Sequence, residues 1–120
     1  MEGTWRKIVY SPELNLFVSI RLGTENSIMT STNGIDWELV INDLCGRDIV
    51  WAGEVRRFVI CHFSNTAFSS SSDGKNWINT DLPYGSGYIC ITYSPDLNTF
   101  VSVNNVGNIV KSTDGGGLFL

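Results

Sequence analysis

The stretch Ser71-Ser72-Asp73-Gly74-Lys75-Asn76-Trp77 occurs three times in this chain, and no other feature limits its fold as strongly. Ser31-Thr32-Asn33-Gly34-Ile35-Asp36-Trp37 precedes it, and Ser112-Thr113-Asp114-Gly115-Gly116-Gly117-Leu118-Phe119 follows it. Each copy places Ser two residues before Asp or Asn, then Gly, then a few spacers and a large apolar residue. An Asx side chain accepts hydrogen bonds from backbone N–H groups one or two residues on, and the Gly takes positive φ at no steric cost. The expectation is a tight hairpin turn between two strands, closed by the packing of an aromatic ring. Asn33, Asp73 and Asp114 lie 40 and 41 residues apart. A period near 40 with one turn per unit marks a repeat architecture.

The segments between the motifs retrace one another in the same register. Tyr10-Ser11-Pro12-Glu13-Leu14-Asn15 returns almost unchanged as Tyr93-Ser94-Pro95-Asp96-Leu97-Asn98. Runs rich in β-formers predict strands at 5–10, 16–20, 27–30 and 37–41 in the first unit. The same reading gives 48–51, 58–61, 67–70 and 77–80 in the second unit, and 91–93, 100–103 and 109–111 in the third. Four short antiparallel strands in about 40 residues make one β-propeller blade. The chain therefore reads as one all-β domain, 1–120, of three four-stranded blades: repeat one 1–45, repeat two 46–86 and repeat three 87–120. In the third repeat the box has an extra Gly, Phe119 or Leu118 stands where Trp is expected, and the last strand is incomplete.

The thrice-repeated motif resembles the Asp-box, or BNR repeat, of sialidase-like β-propellers, in the short form found in bacteriophage tail and virion proteins. The resemblance implies that the boxes are structural hairpins on the outer part of each blade. Ser31, Asn33, Gly34 and Trp37 form the first, Ser71, Asp73, Gly74 and Trp77 the second, and Ser112, Asp114, Gly115 and Phe119 the third. It further implies a tail- or capsid-associated module, made in a host cytoplasm and resident in the virion. Propellers use about 4–8 blades, so three blades would leave two sheet faces expecting neighbours. The expectation is a half or partial propeller completed by a two-fold dimer of six blades, by other virion proteins or by further sequence.

Composition narrows the function classes. A net charge of −4 leaves Arg56-Arg57 as the dense basic pair, placed at a turn, which argues against nucleic acid. Met1-Glu2-Gly3-Thr4 opens without a signal-peptide core, and no apolar run approaches a membrane span. Cys45, Cys61 and Cys90 match no metal spacing. Cys61 holds the repeat position of Ile20 and Val103, so it reads as a core hydrophobe, and free thiols are expected.

Sialidase-like sites would need three clamping arginines, a Tyr–Glu nucleophile and an acid/base Asp. Arg6, Arg21, Arg47, Arg56 and Arg57 sit in no transferable motif, and Tyr10 and Tyr93 share a repeat position with Trp51, which marks packing aromatics. His62 follows Cys61 on the opposite face of a strand, wrong for a dyad, and reads as a surface or interface residue. It has no companion ligand for a metal. Asp73 and Asp114 bring one acid per turn, better used on backbone N–H groups than on calcium. No cofactor is expected. The least repeated loop residues are Arg21, Glu25, Asn26, His62, Asn65, Tyr84, Tyr88, Asn104 and Asn105, of which Tyr and Asn suit glycan or protein contact. The function expected is a non-enzymatic structural or binding module for protein or receptor attachment. A lectin-like propeller and a fragment of a sialidase-like glycoside hydrolase are the alternatives.

Overall fold

Alternation along Phe58-Val59-Ile60-Cys61 shows how the blades stack. Side chains of a strand point to opposite faces in turn, and here both faces are apolar, as in strands covered on both sides. The computed structural model, which describes residues 5–22, 26–40, 46–62, 68–80, 87–117 and 119, bears this out. Blade one holds β1 (Trp5–Ser11), β2 (Leu16–Arg21), β3 (Ile28–Ser31) and β4 (Glu38–Val40). Blade two holds β5 (Gly46–Ala52), β6 (Arg57–His62), β7 (Phe68–Ser71) and β8 (Ile78–Thr80). Blade three holds β9 (Tyr88–Ser94), β10 (Thr99–Asn104) and β11 (Ile109–Ser112), with no fourth strand among the described residues. Every sheet is an antiparallel meander, with strand neighbours in chain order.

Two cores lie between the blades. Phe58 and Ile60 of β6 join Ile49 of β5 against Leu16, Val18, Ile20 and Ile28 of blade one. Val59 and Cys61 face the other way, with Phe68, onto Tyr88, Ile91, Phe100 and Val110 of blade three. Full burial of such a side chain contributes roughly 1.5–3 kcal/mol, so each blade is held chiefly by its neighbour. Burial also pushes the Cys61 thiol up to about 12, helped by the nearby Asp48 charge, so it behaves as an inert core group. Cys61 and Cys90 are free thiols, and Cys45 lies outside the described residues.

The first hairpin of every blade is built alike. Tyr10 packs on Phe17, Trp51 on Phe58 and Tyr93 on Phe100, with ring centroids 4.6, 4.5 and 4.6 Å apart. These are the packing aromatics the repeat alignment predicts. The turn ends on a residue at positive φ: Asn15 at 51°, Arg56 at 52° and Asn98 at 49°. Both asparagines also accept a hydrogen bond from the tyrosine hydroxyl, at 2.7 and 2.6 Å. Arg56 occupies the left-handed region without the short polar side chain that tolerates it. Arg56→Asn should therefore stabilise the fold by about 1 kcal/mol, read as a higher midpoint in thermal or urea unfolding.

The boxes are the β3–β4 and β7–β8 hairpins and the segment after β11. Ser31 Oγ accepts from the N–H groups of Asn33 and Gly34, and Ser71 Oγ from those of Asp73 and Gly74. Asn33 Oδ1 accepts from Ile35 and Asp36, and Asp73 Oδ1 from Lys75 and Asn76, so the reach is two and three residues on rather than one or two. Trp37 and Trp77 close their turns by donating Nε1–H to the carbonyls of Gly34 and Gly74.

The third box departs in register. Ser112 Oγ accepts from Gly116, not Gly115, and Asp114 Oδ1 accepts from Gly117. A Cβ on Gly74 would meet Leu16 at 2.9 Å and Val18 at 3.2 Å, and one on Gly116 would meet Val59 at 3.0 Å. Gly116 therefore holds the place assigned to Gly115, because the extra residue moves the close approach along by one. Phe119 does take the Trp position, its ring centroid 6.3 Å from Phe100, as Trp37 is from Phe17 and Trp77 from Phe58. It also stacks on Phe68 at 3.9 Å.

At Asp73 partial burial opposes ionisation, but the backbone N–H groups of Asn76 and Lys75 and the side chains of Asn76 and Ser71 outweigh it. They hold the carboxyl well below its usual range. A lowered folded pKa means stability present above the ordinary value of about 3.9 and lost as pH falls through the folded one. Asp73→Asn, which mimics Asn33, should match wild type near neutral pH and lose less stability toward about pH 2–3. Asp73→Ala should lose about 1 kcal/mol at neutral pH. Urea melts at the two pH values check both.

Candidate functional site at the inner strand bulges

The innermost strands β1, β5 and β9 each carry one extra residue in their pairing. The register steps from Trp5 to Lys7, from Gly46 to Asp48 and from Tyr88 to Cys90, leaving Arg6, Arg47 and Ile89 as bulged residues. These bulges also explain why β5 and β9 start before the apolar runs at 48–51 and 91–93. A bulge bends its strand and re-aims its side chains. Here three of them converge on a cavity of about 410 Å³ lined by Arg6, Lys7, Arg47, Asp48, Ile89 and Cys90.

Asp48 ties the three blades together at this point. Its Oδ1 accepts from its neighbour Ile49 N–H and pairs with Lys7 Nζ at 2.7 Å, while Oδ2 accepts from Ile91 N–H at 2.9 Å. Arg6 Nε donates to the Arg47 carbonyl at 3.2 Å. Three cationic side chains thus surround one carboxylate that is already committed to three donors. The arrangement suits an anionic group entering from solvent. Its one carboxylate is not free to act as a base or acid.

Other concavities carry less. A groove of about 220 Å³ runs along Thr30–Asn33, Asp36, Trp37, Glu38 and Lys75, and its two carboxylates are exposed. A glycosidase acid needs a sheltered carboxyl. Ser69 Oγ lies 2.7 Å from His62 Nε2, the spacing of a nucleophile and its base. Yet Ser69 is fully buried and donates to Asn79 Oδ1 at 2.6 Å, so Nε2–H must donate to Oγ, the reverse of what a general base does. Among the described residues no three His, Cys, Asp or Glu side chains gather as metal ligands.

The loop residues proposed for recognition that the structure describes are spread over several elements. His62 and Tyr88 are 1% and 0% exposed and belong to β6 and β9, which corrects their placement in loops. Tyr88 packs on Phe68. Asn104 ends β10, is buried, and builds a turn by accepting from Val106 and Asn108 N–H groups. Arg21 ends β2 with its guanidinium 5.5 Å from the Trp5 ring centroid. Asn26 is half-buried at positive φ, and Asn105 is exposed in the turn after β10. Glu25, Asn65 and Tyr84 lie outside the described residues. The bulge cluster was missed, although Arg6 and Arg47 stand at the same repeat position and a shared arginine there is its sequence signal.

Replacing Asp48 separates these roles. Asp48→Ala strands the buried Ile91 N–H and should cost about 1–3 kcal/mol. Asp48→Asn keeps an acceptor for Ile91 and should cost less than about 1 kcal/mol, as read by urea unfolding.

No protein-family model matches the chain, and no curated protein matches it. Among solved structures it is similar to an ancestral GH74 enzyme, at 18% identity and TM-score 0.74, covering 96% of this chain and 18% of that one. It is likewise similar to the GH74 enzyme of Niastella koreensis, at 18% identity and TM-score 0.69, covering 97% of this chain and 17% of that one. Both are β-propeller glycoside hydrolases, and neither is a phage tail or virion protein. At this identity the likeness concerns the fold alone, and the chain spans less than a fifth of either neighbour. What the fold and the comparisons give together is a run of three β-propeller blades, a partial propeller.

Proposed function

We propose that this chain is a non-enzymatic propeller module for attachment or assembly, in the phage tail or virion setting that its short-form repeats suggest. The observation that carries the non-catalytic reading is how the polar groups are spent. The box serine hydroxyls and the Asx Oδ1 atoms serve backbone N–H groups, and Asp48, the carboxylate of the inner cavity, is held by three donors. A retaining or inverting glycosidase needs two carboxyls about 5–9.5 Å apart, one of them able to give up a proton. The described residues offer no such sheltered pair.

A second reading follows from the charge around the same cavity. Arg6, Lys7 and Arg47 favour a ligand with a carboxylate or other acid group, which supports recognition of acidic glycans over neutral ones.

Both readings meet one set of assays. Fluorogenic neutral and sialic acid glycosides should show no turnover, and turnover abolished by Asp48→Asn would overturn the non-enzymatic reading. On an array of neutral and acidic oligosaccharides, any retention should be confined to acidic ones and fall about tenfold or more in Arg6→Ala/Arg47→Ala. Retention of neutral sugars alone would sink the second reading and leave the first intact.

A further inference from the structure

We infer that the two outer sheet faces are the halves of one interface, and that a second copy of this chain closes them head to tail into a six-bladed ring. The chain already makes this interface twice. One side of it comes from Val18, Ile20 and Ile28 in blade one and from Val59, Cys61 and Phe68 in blade two, all fully buried. Register places Val101, Val103 and Ile109 at the same positions in blade three, since Val103 pairs with Ile109 as Ile20 pairs with Ile28 and Cys61 with Phe68. There Ile109 is 64% exposed, and Cys90, Thr92, Val101 and Val103 line an open apolar groove.

The opposite side comes from Ile49 and Phe58 in blade two and from Ile91 and Phe100 in blade three, between 0% and 6% exposed. Its equivalents in blade one are Ile8 and Phe17, paired with Ser19 and Tyr10 as Ile49 and Phe58 are paired with Ile60 and Trp51. Ile8 is 51% exposed and Tyr10 41%, and Leu39, on the strand at the other edge of the same sheet, 42%.

The box glycines point the same way. Gly74 and Gly116 press on the blade before their own, at Leu16 and Val18 and at Val59, whereas a Cβ on Gly34 would meet only its own blade's Phe17. In the closed ring Gly34 lies against Val101 of the partner copy. Lys111, paired with Val101, then stands beside the first box and its exposed Asp36. Two copies give six blades, inside the 4–8 that propellers use, and three copies give nine, outside it.

Each junction sets one end face against the other, and the two-fold repeats it, so that residue i meets j and j meets i and the dimer closes on itself. That gives a test in which the folded core is left alone. Light scattering of the 120-residue chain should return twice its 13.3 kDa mass. Ile8→Asp and Ile109→Asp change side chains exposed in the single chain, so each should keep the wild-type circular dichroism. Each should also weaken the dimer about thirtyfold or more. When the two variants are mixed, a dimer should re-form, because one of its two junctions then carries neither substitution. Cys90 should resist alkylation in the wild type and react in either variant alone. A folded monomeric wild type, a mass that grows with concentration beyond the dimer, variants that remain dimeric, or a mixture that stays monomeric would each overturn the inference.

Discussion

The structure depends on the second strand of each blade being apolar on both of its faces. Leu16-Phe17-Val18, Phe58-Val59-Ile60-Cys61 and Phe100-Val101-Ser102-Val103 all send side chains up and down in alternation. No single sheet can cover both sets. Blade two satisfies this condition completely, with Phe58 and Ile60 against blade one and Val59 and Cys61 against blade three. Nearest-neighbour stacking of this kind is what makes repeat proteins quasi-one-dimensional, with stability resident in the junctions. The exposure of Ile8 and Ile109 follows from the same rule, because among the described residues each end blade has one face that no other sheet covers.

Polar groups in this fold are used to hold geometry. The serine and Asx of each box satisfy turn N–H groups that would otherwise be left without acceptors, and the tryptophan N–H returns to the glycine carbonyl. His62, Ser69 and Asn79 form a chain of hydrogen bonds, buried at its first two members, that ties adjacent strands of blade two. Asp48 spans the three inner strands. A repeated Ser-x-Asx-Gly turn in the sequence therefore signals a place where the backbone needs an acceptor, and the likeness to glycoside hydrolases is carried by the blades alone.

Much of the fold was legible because its signals are local. The box turns, the Tyr10 and Tyr93 hairpins and the alternating strands depend on residues within a few positions of one another, so spacing alone reveals them. The candidate site was less legible. Bulges at Arg6, Arg47 and Ile89 have no strong local signature, and their convergence requires three strands about 40 residues apart to come side by side. Three of the loop candidates were placed in loops for the opposite reason. His62, Tyr88 and Asn104 look variable along the chain, yet each sits where a strand end is packed or a turn is pinned.

The sequence by itself determined three all-β units, the place and chemistry of the box turns, and the core role of Cys61. Each rests on periodicity or on hydrogen bonds within a single turn. Only the tertiary structure decided that Gly116 and not Gly115 takes the close approach, because a neighbouring blade's Val59 occupies the space a Cβ would need. It also decided that Asp48 is the tie between blades and that Arg6 and Arg47 share a cavity, since both depend on which strands become neighbours across the sheets.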